Sequence, residues 1–135
     1  MVIRYGFLWS HEKTAGGEEG SKDRPCAIVV AAPRRTNGDI AVIVAPITHA
    51  LPEDLSTSME IPSPICRALG LDRRRHWLRL DELNRFVWPG YDLRTIPGKP
   101  GEYAYGMLPR PMFEHLRTAL LDRQRAMAPH IQRRD

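Results

Sequence analysis

Two apolar runs dominate the first third of the chain. One covers residues 25–32 and follows the polar segment Gly20-Ser21-Lys22-Asp23-Arg24, and the other covers residues 40–47. Short apolar runs that are rich in branched side chains and bounded by turn residues predict strands buried on both faces. Asn37-Gly38 lies between the runs and predicts a tight turn, so we expect the two strands to form a hairpin.

Weaker patterns place the other elements. Short strands are predicted over residues 3–9, 57–61, 77–80 and 102–108, whereas residues 81–88 fit either a short helix or an irregular strand. Ser63-Pro64 predicts a short helix that is capped by Ser63 and ends near Gly70. Residues 11–23 and 89–101 are rich in Gly or Pro and are predicted to be loops.

The last part of the chain carries a long helical pattern. Arg110-Pro111 predicts its start and Pro129 its end. Between them, apolar side chains recur at helical spacing and fall on one face, namely Met112, Phe113, Leu116, Ala119, Leu120 and Met127. We expect this face to cover the core or a dimer interface, and we expect residues from about 129 to 135 to form a frayed tail.

These elements predict a fold class. Several short strands, long loops and a terminal helix favour a chain that is mainly β with α, built as a small, strongly bent antiparallel barrel with a short helix and a C-terminal helix. Strands do not alternate with long helices, which disfavours a doubly wound parallel sheet. With 135 residues, the chain is expected to form one domain over residues 1–135.

The charge balance narrows the class of partner. The net charge is +4, and of the 20 basic residues only Lys13, Lys22 and Lys99 are lysines, so 17 are arginines. Arginine binds phosphate and carboxylate through a planar fork and stacks on bases, which favours nucleic acid or an acidic peptide as partner. A genome-wide preference for Arg codons is the alternative explanation.

Cysteine usage and hydropathy favour an intracellular protein. Cys26 and Cys66 lie in apolar surroundings and far apart in sequence, so we expect two buried free thiols. No spacing resembles a zinc site, and neither a metal nor a cofactor is expected. No apolar run has the length of a signal-peptide core or a membrane span, so we expect a cytoplasmic protein that does not bind a membrane.

The candidate chemistry lies at the ends of the two apolar strands. Arg24 stands at the start of the first strand, directly after the Gly-containing loop, and Thr48 and His49 stand at the end of the second. Rigid strands that hold a cation and a hydroxyl beside a loop suit an anionic substrate. For Arg24, the alternative is a surface ion pair with Asp23 or Glu19; for Thr48, it is simple strand termination by a β-branched residue.

At these residues the chain resembles the MazF/PemK family of toxins from bacterial type II toxin–antitoxin systems. The resemblance runs through Gly6-Phe7-Leu8-Trp9, the Gly-containing loop, Lys22-Asp23-Arg24-Pro25 and Pro46-Ile47-Thr48. It covers the first 50 residues well and the C-terminal quarter loosely. Residues 73–101 match no motif of the family.

The resemblance implies an SH3-like barrel, a homodimer and metal-independent cleavage of single-stranded RNA to a 2′,3′-cyclic phosphate and a 5′-hydroxyl. It places Arg24 and Thr48 on the family's catalytic Arg and Thr. It also implies a cognate antitoxin, for which we expect an acidic, partly disordered segment that orders the loop and blocks Arg24.

The chemistry can also be argued from the residues. RNA carries its own nucleophile in the 2′-hydroxyl, so cleavage needs in-line geometry, charge stabilisation and proton transfer. Arg24 would clamp the phosphate through two N–H groups and Thr48 would donate a further hydrogen bond. His49 and His11 are the candidates for the general base, because an unperturbed imidazole titrates at about pH 6.5; Glu12 is a third candidate. His49 and Thr48 can serve one site only if the strand ends or bulges there.

Further residues are candidates for RNA binding. Ser21 and Lys22 precede Arg24, and Arg73, Arg75 and Trp77 combine positive charge with an aromatic ring on which a base could stack. The alternative is that Trp77 packs in the core while the arginines form a solvated face.

Two other functions fit the same fold, since a fold does not fix a function. One is a non-catalytic toxin that binds a protein target such as DNA gyrase through the C-terminal helix and tail. The other is an RNA-binding domain that has lost its activity.

Overall fold

The computed structural model describes residues 1–7, 22–33, 39–88, 93–126 and 130–133. Within these ranges the chain forms two α-helices, eight strands and a 3₁₀ turn at Leu55–Thr57. The strands are β1 (Val2–Phe7), β2 (Lys22–Pro33), β3 (Ile40–Thr48), β4 (Ser58–Ile61), β5 (His76–Arg79), β6 (Glu82–Val87), β7 (Ala104–Gly106) and β8 (His130–Arg133). The helices are α1 (Ser63–Ala68) and α2 (Arg110–Ala126).

The predicted hairpin of the two apolar runs forms the centre of the sheet. β2 and β3 are antiparallel, with Cys26 opposite Pro46 and Ile28 opposite Val44, and a bulge follows between Ile28 and Val30. β1 pairs antiparallel with the other edge of β2, so that β2 is covered on both edges. Its continuous apolar sequence is explained by this central position.

The free edge of β3 is shared by two strands. Residues 41–44 pair with β6, and residues 47–48 pair with β5, so that Ile47 lies opposite Leu78 and Val44 opposite Asn84. Between these two partners the β5–β6 side has three more residues than β3. Extra residues on one side of a ladder bend the sheet. The sheet therefore turns sharply near the end of β3.

The remaining strands extend the sheet on both sides. β4 pairs antiparallel with β5, and β7 pairs antiparallel with β1. β8 runs parallel to β6, with Leu83 opposite Ile131. This pairing corrects the expectation of a frayed tail over residues 130–133. An edge of β6 would otherwise expose its backbone N–H and C=O groups, and the tail satisfies them.

Each face of the central strands is covered by its own apolar cluster. The larger cluster joins Val29, Ala45, Ile47 and Leu78 to the buried face of α2, where Met112 and Leu116 are buried and Phe113, Ala119 and Leu120 pack against them. The smaller cluster, on the opposite face, includes Tyr5, Phe7, Val44 and Phe86. The predicted apolar face of α2 is thus confirmed for its first five residues; Met127 lies outside the described residues.

The predicted fold class is confirmed: the chain is mainly β, with a barrel-like sheet, a short helix and a C-terminal helix. Along the path β4-β5-β3-β2-β1-β7 of the described strands, the sheet remains open. Residues 82–87 resolve as a strand, and α1 is capped by Pro62 without a side-chain hydrogen bond, rather than by Ser63. Both cysteines are buried free thiols, as predicted. In the described part of the chain, no helix is long and apolar enough to cross a membrane.

Candidate functional site

A cleft of about 250 Å³ opens where β2 begins and β3 ends. Its walls come from β2, from the end of β3, from the segment between α1 and β5, and from β7. The polar side chains that line it include Arg24, Thr48, His49, Asp72, Arg74 and His76. Three of these six side chains carry a charge and two more are histidines, so the cleft is polar and suited to a charged ligand.

The strand register explains why Arg24 and Thr48 share this cleft. Cys26 pairs with Pro46 in the β2–β3 ladder. Extending that register by two residues on each strand sets Arg24 opposite Thr48 and on the same face, because side chains alternate along a strand. Both side chains line the cleft, so the structure brings together the two residues that the sequence singled out.

The Thr48 hydroxyl is held in a defined orientation. Thr48 is only 9% exposed, and its Oγ1 accepts a hydrogen bond from the backbone N–H of Ala50 at 3.1 Å. A hydroxyl that accepts one hydrogen bond keeps its own proton for donation. The local turn after β3 therefore leaves Thr48 able to donate to a ligand in the cleft.

Asp23 anchors the start of β2. Its carboxylate forms ion pairs with Arg4 at 3.5 Å and with Arg94 at 3.4 Å. The three side chains are between 24% and 36% exposed, so these contacts position the strand more than they stabilise the fold. Asp23 thus links Arg24's strand to β1 and to the segment before β7.

His49 also lines the cleft, although it follows Thr48 directly. Two successive strand residues would point to opposite faces, but β3 ends at Thr48. Because the strand ends at Thr48, Thr48 and His49 can both serve this cleft.

A glycine in the left-handed region of backbone conformation positions the segment between α1 and β5, which forms one wall of the cleft. Gly70 has φ of +74° directly after α1, and the N–H of Leu71 bonds to the carbonyl of Cys66 at 3.0 Å. This is the usual way for a helix to end and reverse direction, and it needs a residue without Cβ. The reversal leads the chain into Leu71 and Asp72, which line the cleft.

Asp72, Arg74 and His76 form a hydrogen-bonded cluster in that wall. The carboxylate of Asp72 accepts from the Arg74 side chain at 2.6 and 2.9 Å and from its backbone N–H at 2.9 Å. His76 Nε2 lies 3.0 Å from Asp72 Oδ1. The hydrogen bonds from Arg74 hold the pKa of the Asp72 carboxyl well below its usual range, and His76 adds to the effect.

This cluster was not predicted from the sequence. The residues predicted to bind RNA were those at the odd positions of the segment, Arg73, Arg75 and Trp77, whereas the even positions line the cleft. Every residue from Asp72 to His76 is polar, so the sequence shows no alternation that would have distinguished the two faces of this segment.

Trp77 is not available as a stacking platform. It is 4% exposed, and the guanidinium of Arg75 lies 4.9 Å from the centroid of its ring. Arg75 in turn bonds to Glu60 at 2.7 and 2.9 Å. This corrects the prediction that Trp77 would stack RNA bases, because a buried ring covered by a cation has no face for one. Arg73 is exposed and is not among the residues that line the cleft.

Four predicted residues lie wholly or partly outside the described part of the chain. They are His11, Glu12 and Ser21, together with the side chain of Lys22, whose backbone pairs with Phe7. Trp88 packs against two aromatic rings: it stacks on Phe86 with centroids 6.1 Å apart and meets Tyr103 edge-on at 5.5 Å.

Two features complete the description of the surface. An apolar pocket of about 340 Å³ lies between Met1, β2 and the start of α2. Among the described residues, no group of three or more His, Cys, Asp or Glu side chains could hold a metal ion. Comparison with protein-family models, with curated proteins and with solved structures finds no match for this chain.

Proposed function

We propose that this chain is the toxin of a toxin–antitoxin system and that it cleaves single-stranded RNA without a metal ion. One observation carries the proposal: Arg24 and Thr48 line a single polar cleft from matching positions on neighbouring strands. The resemblance of the segments around them to MazF/PemK toxins supports it.

Arg24 supplies the electrostatic part of the chemistry. A guanidinium donates two parallel N–H bonds to the non-bridging oxygens of one phosphate and stays protonated at every working pH. It therefore stabilises the charge that grows on those oxygens as the phosphorus becomes five-coordinate. Because Arg24 is part of a strand paired with β1, its backbone is fixed before the substrate arrives.

Thr48 adds a second donor from the neighbouring strand. Its hydroxyl proton is available for donation to a ligand in the cleft, since Oγ1 already accepts from Ala50. Two donors from different strands fix the orientation of the phosphate as well as its position. Removing one such donor typically lowers the rate by about 10²–10³.

The choice of RNA follows from this set of groups. The cleft offers donors and imidazoles, while the nucleophile would come from the 2′-hydroxyl of the substrate itself. DNA of the same sequence would bind through its phosphates and remain uncut. The high proportion of Arg in the chain adds sequence-independent attraction for the backbone.

Two partners belong to the proposal. An antitoxin with an acidic segment would fit the polar cleft and compete with RNA for Arg24. A second copy of the chain would cover the apolar surface beside the 340 Å³ pocket, where Met1 and Met107 are 38% and 69% exposed. Burying exposed apolar surface is what stabilises such a dimer.

The test is end-mapping of cellular RNA after brief expression of the wild type, of Arg24→Ala and of Arg117→Ala. Arg117 is an exposed arginine on α2 and serves as the matched control. The proposal predicts new 5′-hydroxyl ends with the wild type and the control and none with Arg24→Ala. Growth arrest without new RNA ends, unchanged by Arg24→Ala, would instead indicate a toxin that binds a protein target. Intact RNA and normal growth would indicate an inactive RNA-binding domain.

A further inference from the structure

His76 is placed where a proton acceptor for the cleft would be needed. It begins β5 and is 6% exposed, yet it lines the same cleft as Arg24 and Thr48. Thr48 lies opposite Trp77, the residue after His76, in the β3–β5 pairing. His49 follows Thr48 and lines the same cleft, so two imidazoles border it.

The Asp72 cluster fixes which nitrogen of His76 carries the proton. Asp72 is an acceptor on both oxygens, because two bonds from the Arg74 side chain and one from its backbone hold the carboxylate ionised. Nε2 of His76, 3.0 Å from Oδ1, must therefore be the donor. In the neutral ring this leaves the lone pair on Nδ1, which has no hydrogen-bond partner among the described residues.

We propose that His76, oriented by Asp72, is the general base of the cleft. This inference rests on the proposed function and names the proton acceptor that function requires. In the step, Nδ1 takes the proton of the 2′-hydroxyl while the 2′-oxygen forms a bond to phosphorus. The bond from phosphorus to the 5′-oxygen breaks, and that oxygen takes a proton from water. The products are a 2′,3′-cyclic phosphate and a 5′-hydroxyl, and His76 returns its proton to solvent.

The charged surroundings of His76 come from every wall of the cleft. Asp72 and Arg74 precede it, His49 lines the cleft from the end of β3, and Asp23 and Arg24 line it from β2. Tyr105 of β7 completes the wall. Asp72 is the group in direct hydrogen-bond contact with the ring, so it is the positioning residue, while Arg74 acts one contact further away.

The test compares His76→Gln with His115→Gln, a matched change at an exposed histidine on α2. With His76→Gln, we expect kcat/KM for a synthetic RNA to fall by about 10²–10⁴. We also expect the acidic limb of the pH profile of kcat/KM to disappear. Affinity for the same strand with 2′-deoxyribose at the scissile position should stay within about threefold of the wild-type value, since the base is not the phosphate clamp. His115→Gln should behave as the wild type.

Asp72→Asn tests the positioning residue. Because this variant retains the imidazole of His76, it also serves as the second test if His76→Gln fails to fold. We expect kcat to fall about tenfold with KM unchanged, because the ring loses the hydrogen-bond acceptor that fixes its orientation and tautomer. If neither variant folds, NMR of the wild type supplies the test. The role of His76 then requires its ring resonances to shift when the protein binds the deoxy-substituted strand.

The outcomes separate this inference from the proposed function. Wild-type cleavage that Arg24→Ala abolishes, together with an unchanged rate and pH profile in His76→Gln, overturns the role of His76 and leaves the ribonuclease intact. An unmoved His76 resonance in the bound wild type overturns it as well. A wild type that cuts no RNA overturns both.

Discussion

Arg24 and Thr48 each lie two residues beyond the pair Cys26–Pro46 on two antiparallel strands, and both line one cleft. The relationship follows from the hairpin of the two apolar runs. Because the register of that hairpin is set by buried side chains, a shift by one residue would turn every apolar side chain to the wrong face. The same packing that builds the core therefore fixes the guanidinium and the hydroxyl relative to each other.

Two substitutions at Thr48 separate the contribution of its hydroxyl to cleavage from that of its side-chain shape. Thr48→Val keeps the volume and removes the donor, and we expect kcat/KM for RNA to fall by about 10²–10³. Thr48→Ser keeps the hydroxyl and its bond from Ala50, so its rate should stay within about tenfold of the wild type. Equal losses in the two variants would show that Thr48 acts through packing alone.

Gly70 tests whether the reversal after α1 positions the Asp72 cluster. Gly70→Ala meets no atom within 4 Å but forces a side chain into the left-handed region, which costs about 1–2 kcal/mol in the free energy of unfolding. Gly98→Ala has the same strain and the same open space and is the matched control. Urea unfolding should show similar losses for both variants.

Only one of these two variants should affect RNA cleavage. Gly70 lines the cleft, whereas Gly98 lies in the turn between Ile96 and Lys99. We expect Gly70→Ala to lower kcat/KM and Gly98→Ala to leave it unchanged at a temperature where both are folded. Parallel losses in cleavage would mean that stability, not the placement of Asp72, controls the rate.

A substitution at Trp77 tests whether its buried ring contributes to RNA binding. Since the ring is buried, Trp77→Phe should lower the free energy of unfolding by about 1–3 kcal/mol. Its affinity for single-stranded RNA, measured by fluorescence anisotropy with a labelled strand, should change less than twofold. A tenfold loss of affinity with unchanged stability would restore Trp77 as a stacking platform.

The ionised Asp72 carboxylate leads us to expect that the folded protein loses stability as the pH falls. Its carboxyl has a lowered pKa in the folded protein, mainly through hydrogen bonds from Arg74. A lowered pKa contributes stability that is fully present above the unfolded value of about 3.9 and is lost as the pH falls through the folded value. The urea midpoint of the wild type should therefore fall more steeply below about pH 4 than that of Asp72→Asn. Identical slopes would show that Asp72 gains nothing from its partners.

The parts of the fold that the sequence predicted correctly are those governed by local patterns. The two apolar runs and the apolar face of α2 both depend on side-chain periodicity, which a single sequence displays. The convergence of Arg24 and Thr48 followed from the same hairpin. The pairing of β8 with β6 did not, because it joins segments nearly 50 positions apart, and no local pattern encodes such a contact.

The site was predicted only in part, for a related reason. Arg73, Arg75 and Trp77 attracted attention through composition, yet Trp77 belongs to the interior and Arg75 to a surface pair with Glu60. Whether an even or an odd position faces the cleft depends on how β5 packs against β3, which is a tertiary relationship. Composition identified the right segment and could not decide which of its faces carries the chemistry.

The most direct test of the central claim is the cleavage of a synthetic single-stranded RNA in EDTA, followed by the rate and by the chemistry of the new ends. The wild type is expected to produce a 2′,3′-cyclic phosphate and a 5′-hydroxyl, and Arg24→Ala and Thr48→Val should each lower kcat/KM at least about 100-fold while remaining folded. Cleavage that persists at the wild-type rate in both variants, or RNA that the wild type leaves intact, would contradict the account.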